Sequence, residues 1–244
     1  MMRENKEPVA LITGGSVRVG KAISSFLHEK GYRVCLHYRY SHEAAKSFAR
    51  SLNEKRLDSA LCFFADLCQV GEVRALAKQA IEAWGRLDLL INNASSFYAT
   101  PVQTATEQAW DDLMGSNVKG AFFLSEAVAS ELKERQGSII NITDIHGEIP
   151  LKNHSIYSMS KAALHMMTKA LAKELAPAVR VNAIAPGSVL WPQDATPAHR
   201  EKILKRTALQ REGSPEDVVK AVEYLLKADF VTGQCLKVDG GRYL

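Results

Sequence analysis

Apolar runs of four to six residues recur along the chain, at 9–13, 33–37, 60–65, 87–91, 138–142, 179–184 and 235–238. Several lack the polar alternation of a half-exposed strand, which predicts strands covered by helices on both faces. Amphipathic stretches lie between them, at 20–30, 43–53, 71–84, 107–133, 157–175, 197–206 and 215–227. Regular alternation of strand and helix predicts right-handed crossovers and an α/β chain with a doubly wound, seven-stranded parallel sheet. No Pro/Gly/Ser-rich linker or internal repeat divides it, so one domain over 1–244 is expected.

In such a sheet ligands bind at the carboxyl ends of the strands. The first strand runs into Thr13-Gly14-Gly15-Ser16-Val17-Arg18-Val19-Gly20 and then a helix. Gly14 permits a tight turn, Gly20 permits close packing of helix on strand, and the helix N-terminus offers free N–H groups to a pyrophosphate. Arg18 can reach phosphate oxygens or a planar ring above them, or it is a solvated surface residue. The second strand ends in Leu36-His37-Tyr38-Arg39-Tyr40-Ser41. An NAD enzyme normally places an acid there, whereas His37, Arg39 and Ser41 are donors that suit a 2′-phosphate, so the expected cofactor is NADPH. Asp66-Leu67 and Asn93-Ala94 follow the third and fourth strands and fit the same cleft, Asp66 facing the adenine amino group; each also reads as a turn or cap.

Composition narrows the class. The 244 residues are 46% hydrophobic, and 31 Lys+Arg against 27 Asp+Glu give a net charge of +4, with the signs interspersed. That argues against nucleic-acid or membrane-surface partners. No apolar stretch approaches the roughly 18 residues of a membrane span, and residues 1–8 are too polar for a secretory signal, so a cytoplasmic protein is expected. The four cysteines form no CxxC pair and no metal-like cluster with histidine; Cys35 and Cys62, inside apolar runs, read as small hydrophobes. No metal is expected.

Asp144 follows the fifth strand, and thirteen positions later Tyr157-Ser158-Met159-Ser160-Lys161 opens a helix. The four-residue spacing puts Tyr157 and Lys161 on one helical face, where the ammonium is expected to lower the tyrosine pKa from about 10. The glycine turn, Asn92-Asn93-Ala94, the YxxxK pair and Pro186-Gly187 after the sixth strand resemble the short-chain dehydrogenase/reductase family along essentially the whole chain. The resemblance implies a single-domain Rossmann fold, a homotetramer, and a catalytic role for Asn117, which would support a proton-relay water near the lysine. Asn117 equally reads as a polar residue inside a helix.

Most members of that family carry serine where this chain has Asp144. An ionised carboxylate only accepts hydrogen bonds, so it repels a ketone oxygen and suits a substrate with N–H donors. With Arg18 in the turn and Asn93-Ala94-Ser95-Ser96-Phe97-Tyr98 after the fourth strand, the chain is most similar to the pteridine reductases. That resemblance implies a pterin or folate stacked on Phe97, bonded by Ser95 and flanked by Arg18. It further implies hydride transfer from NADPH to a pterin ring carbon, and proton supply from Tyr157 with Asp144 and Lys161. The loop 188–194 is expected to cover the substrate, with Ser188 as a contact and Trp191 narrowing the pocket. The tail 240–244 either folds over the cleft or ends at the surface. The alternatives are a dihydromonapterin or dihydrofolate reductase, a ketone or 3-oxoacyl carrier reductase, and a silent NADP(H)-binding protein.

Overall fold

Seven strands form one parallel sheet: β1 (Val9–Ile12), β2 (Arg33–Tyr38), β3 (Ala60–Phe64), β4 (Leu89–Asn92), β5 (Ser138–Ile142), β6 (Arg180–Pro186) and β7 (Cys235–Val238). Their order across the sheet is β3-β2-β1-β4-β5-β6-β7. The structure is a computed structural model and describes residues 7–191 and 196–244. The helices are α1 (Arg18–Glu29), α2 (His42–Lys55), α3 (Val70–Glu82), α4 (Glu107–Met114), α5 (Gly120–Arg135), α6 (Ser155–Leu175), α7 (Pro197–Leu204) and α8 (Pro215–Lys227). This is the doubly wound Rossmann architecture that the alternation predicts.

The uninterrupted apolar strands follow from burial on both faces. On β1, Val9 and Leu11 join a cluster with Leu76 of α3, Val128 of α5 and Leu171 of α6. Ala10 and Ile12 point the other way, into a cluster with Leu27 of α1, Leu52 of α2 and Val222 of α8. Full burial of each such Leu or Ile contributes about 1.5–3 kcal/mol, and a polar residue at either parity would forfeit it.

The chain reverses winding between β1 and β4, which places the β1 turn beside the segment after β4. Thr13 joins the two. Its Oγ1 accepts from the backbone N–H of Asn93 (2.8 Å) and of Ala94 (2.9 Å). Asn93 Nδ2 then donates to the carbonyls of Thr13 (2.8 Å) and Gly14 (3.2 Å).

One predicted element divides. The expected helix over 107–133 is broken by a wider π turn at Gly115–Lys119. Here the helix presses on the chain just past β3: a Cβ at Gly115 would lie 2.8 Å from Cys68 Sγ, and one at Gly120 2.6 Å from the Leu67 carbonyl. Ser116 Oγ bonds back to Asp112 O at 2.7 Å, and the Asn117 side chain is drawn to the segment after β4, so an i→i+4 ladder gives way locally.

Gly20 makes the closest approach. A Cβ there would fall 2.1 Å from Gly14 O and 2.6 Å from Asn93 Nδ2. Gly20→Ala is expected to cost at least about 1–3 kcal/mol in urea unfolding. Gly71→Ala, in open space near the start of α3, is expected to be neutral or stabilising by about 0.5–1 kcal/mol. Equal stability for the two variants would contradict this account of the β1–α1 contact.

Candidate active site

The carboxyl ends of β1, β4 and β5 converge on one cleft. At β1, Gly14 has a left-handed backbone (φ 60). Helix α1 starts without a side-chain cap and with no acid in its first turn. Its free N–H groups and positive dipole end therefore stay open to an anion. The buried Ser16 Oγ beside them has no hydrogen-bond partner. An uncapped helix start with a buried unpartnered hydroxyl fits a pyrophosphate and its ribose. Arg18 is exposed, also with a left-handed backbone (φ 51), and Val19 packs toward the core.

The end of β2 corrects part of the sequence expectation. His37 is buried, and burial lowers its pKa, so it is neutral. Its Nδ1 accepts from Gly14 N–H (3.1 Å) and its Nε2 donates to Ala65 O (2.9 Å), which leaves no donor for a phosphate. The Tyr38 hydroxyl meets His42 Nδ1 at 2.6 Å. Arg39 reaches the cleft rim, between Asp66 (2.9 Å) and Asp112 (3.3 Å), with its guanidinium over the Tyr40 ring at 4.8 Å. Asp66 accepts from Arg39 on Oδ2 and from Cys68 N–H on Oδ1. The Leu67 side chain belongs to the core. Ser41 is the residue before α2 and makes no capping bond.

At β5 the chain leaves Thr143, anchored by its hydroxyl to Ile184 O (2.9 Å), and turns through Asp144 into a short 3-10 turn, Ile145–Gly147. Asp144 Oδ1 caps that turn, accepting from His146 N–H at 2.7 Å. Oδ2 accepts from the Tyr157 hydroxyl, also at 2.7 Å. Lys161, one turn further along α6, is buried, and its Nζ donates to Ile142 O at 3.2 Å.

The pKa of Tyr157 moves opposite to the sequence expectation. Burial raises it well above 10, and the touching Asp144 charge raises it further. The Lys161 ammonium stands 5.7 Å from the ring centroid, too far to outweigh a carboxylate in direct contact. Lys161 itself is brought down to about 8 by burial, with Asp144 opposing. The site thus holds a protonated phenol on a carboxylate acceptor, above a lysine whose charge is lost above about pH 8.

Phe97 is 50% exposed and turned into this cleft. Its ring lies 4.8 Å from Tyr157, edge to face, and stacks on His154 at 4.9 Å with 16° between planes. His154 covers one ring face of the half-exposed side chain. The sequence reading missed His154, although it sits three residues before Tyr157, one helical turn away. Ser95 is exposed, with its hydroxyl on Ser96 O (3.3 Å). Asn117 is buried inside the π turn, and its side chain is fully engaged. Its Nδ2 donates to Ser96 O (3.1 Å) and Ser160 Oγ (2.9 Å), and its Oδ1 accepts from Ser96 N–H (2.9 Å). The side chain ties the Phe97 segment to α6.

Pro186 ends β6, and Gly187 packs against Asp239, where a Cβ would lie 2.8 Å from the Asp239 Cβ. Ser188 lines a cavity of about 640 Å³ with Val189, Leu204 and residues of the tail; neither Asp144 nor Tyr157 lines it. Trp191 stacks with Arg200 at 5.6 Å, and residues 192–194 of the expected cover loop lie outside the described residues. The tail folds back: Asp239 accepts from the N–H groups of Gly241 (2.9 Å) and Tyr243 (2.7 Å). Lys237 stands over the Tyr243 ring (3.4 Å) and pairs with Glu148 (3.0 Å). Arg242 has a buried Nη1 without a partner, and burial lowers its pKa while the nearby Asp144 charge opposes. No helix among the described residues is long and apolar enough to cross a membrane.

The unfolded chain binds more protons than the folded one between about pH 8 and 10.5, the two pKa values of Lys161. That group therefore makes stability rise with pH across this window and costs stability below it. The unfolding free energy of wild type minus that of Lys161→Met is expected to grow by roughly 1–2 kcal/mol from pH 7 to 9.5. A difference independent of pH would contradict the burial of the charge.

A family described as enoyl-(acyl carrier protein) reductase matches residues 17–242. Pteridine reductase 1 of Leishmania tarentolae is 37% identical over 276 aligned positions, covering 96% of each chain. The second granaticin polyketide synthase ketoacyl reductase of Streptomyces violaceoruber is 36% identical over 245 positions, 97% of this chain and 96% of that one. The 3-oxoacyl-[acyl-carrier-protein] reductase FabG of Staphylococcus aureus (strain Mu50) is 34% identical over 243, covering 96% and 98%. The chain belongs to the short-chain dehydrogenase/reductase family of oxidoreductases.

Proposed function

We propose that the protein is a cytoplasmic NADPH-dependent pteridine reductase, converting an oxidised pterin or dihydropterin of the biopterin or folate type to its tetrahydro form. The observation that carries this reading is the 2.7 Å contact of Tyr157 with Asp144, beside the half-exposed ring of Phe97. An ionised carboxylate at the reacting edge attracts N–H groups and repels a carbonyl oxygen. A flat nitrogen heterocycle satisfies both the carboxylate and the ring. The 37% identity to a pteridine reductase supports the reading.

The open N-terminus of α1, Gly14 and Ser16 would receive the cofactor pyrophosphate, with Arg39 and Ser41 at its 2′-phosphate and Asn93, Ala94, Pro186 and Gly187 along the cleft. NADPH, when bound, supplies the hydride. Asp144 accepts N–H groups of the substrate and holds the Tyr157 hydroxyl in place. Tyr157 delivers its proton to the ring nitrogen next to the carbon that gains the hydride. Lys161, charged below about pH 8, offsets the phenolate left behind. Phe97 orients the ring, with Ser95, Ser188 and Arg18 at its periphery. Asn117 acts by positioning the Phe97 segment. The apolar side chains of Phe122, Met159 and Met166 on α5 and α6 are exposed, which favours a homotetramer that buries them.

A 3-oxoacyl carrier reductase is the second reading, favoured by relatives of 34–36% identity. Oxidation of NADPH and NADH is to be followed with biopterin, dihydrobiopterin, dihydromonapterin, dihydrofolate, a ketone and a 3-oxoacyl thioester. The expected result is turnover with NADPH and the pterins or folate. Asp144→Ser should lower kcat/KM for them about a hundredfold, and Phe97→Ala should raise KM about tenfold. Turnover of the ketone or thioester alone, undiminished in Asp144→Ser, would overturn the pterin assignment.

A further inference from the structure

Outside the reacting centre, three chain-distant residues meet. Glu148 follows the turn after β5, His165 lies one turn beyond Lys161 on α6, and Cys235 opens β7. One ligand atom from each lies within 4.8 Å of the other two. Cys235 Sγ stands 3.5 Å from His165 Nε2, and His165 Nδ1 stands 3.6 Å from Glu148 Oε1. We infer that this trio is a binding site for a thiophilic divalent cation of the zinc type, with a fourth position open to water.

Tetrahedral bonds of about 2.3 Å to sulfur and about 2.0–2.1 Å to nitrogen or oxygen separate ligand atoms by about 3.3–3.6 Å. The sulfur–nitrogen pair already has this spacing. Glu148 Oε1 now faces the other ring nitrogen, Nδ1, so its carboxylate must swing round toward Nε2, which its partial exposure (33%) allows. A thiolate, an imidazole and one carboxylate suit zinc, whereas magnesium and calcium take oxygen ligands. Binding exchanges a proton for the cation. The Cys235 thiol proton leaves to solvent, the thiolate becomes a ligand, and the Nε2 lone pair turns from the thiol to the metal. Lys237, 3.0 Å from Glu148, is the competing positive charge. Capture of Glu148 by the metal loosens the clamp that Lys237 provides on Tyr243 and the tail.

Titration of the full-length protein with cobalt, a spectroscopic stand-in for zinc, tests the site directly. The expected result is a sulfur-to-cobalt charge-transfer band saturating at one cobalt per chain and abolished by zinc. Cys235→Ala and His165→Gln should remove the band and weaken zinc binding at least tenfold in competition with a chromophoric chelator. Cys62→Ala and Cys68→Ala should retain it, and Lys237→Met should bind more tightly. Should Cys235→Ala fail to fold, Cys235→Ser removes the sulfur with less change of shape and gives the same readout. Absence of the band, or its survival in folded Cys235→Ala or Cys235→Ser, would overturn the assignment.

Discussion

A single hydrogen bond, from the Tyr157 hydroxyl to Asp144 Oδ2, sets the chemistry that this cleft can perform. It joins the end of β5 to the first turn of α6, and both partners are held from behind. Asp144 is fixed by His146 N–H and by the neighbouring anchor of Thr143 on Ile184. Tyr157 is fixed by its burial and by its T-shaped contact with the Phe97 ring. A phenol in this setting keeps its proton at neutrality, because ionisation would place a second negative charge against the carboxylate in a dry environment. Proton release then requires that an acceptor arrive while the buried Lys161 charge is present.

The fold supplies that arrangement by stacking strand ends. Parallel β1, β4 and β5 finish side by side, so the phosphate-receiving turn, the Phe97 segment and Asp144 share one rim. Thr13, Asn93 and Asn117 are the cross-ties. Thr13 and Asn93 lock the β1 turn to the β4 exit, and Asn117 locks that exit to α6 through Ser96 and Ser160. The π turn at Gly115–Lys119 is where the helix yields to make this last tie. Sequence-distant groups are thus held at hydrogen-bond distance by backbone and amide contacts, which is what preorganisation of a reacting edge requires.

The strand–helix order, the glycine turn and the placing of Tyr157 and Lys161 on one face of a helix were legible because each rests on local pattern: two-faced burial, close backbone approach, and one-turn spacing. The partnership of Asp144 with Tyr157, thirteen residues apart, entered only through the family resemblance. The direction of the Tyr157 pKa was not legible, since it depends on whether carboxylate or ammonium makes contact, a matter of tertiary distance. His37 reads as an outward donor in the sequence, yet the inward parity of its strand position turns it to Gly14 and Ala65. Asp66 and Arg39 carry no sign of one another in the sequence, and folding brings them together. Glu148, His165 and Cys235 carry no spacing signal at all. Only the return of β7 beside β6 brings Cys235 to α6.

Ultraviolet difference titration of the wild type against Tyr157→Phe isolates the ionisation of this one phenol. The account predicts no phenolate absorbance attributable to Tyr157 up to its ordinary pKa of 10, because burial and Asp144 hold the proton in place. A Tyr157-dependent phenolate signal between about pH 7 and 9 would show that Lys161 governs the pair instead, contradicting the account.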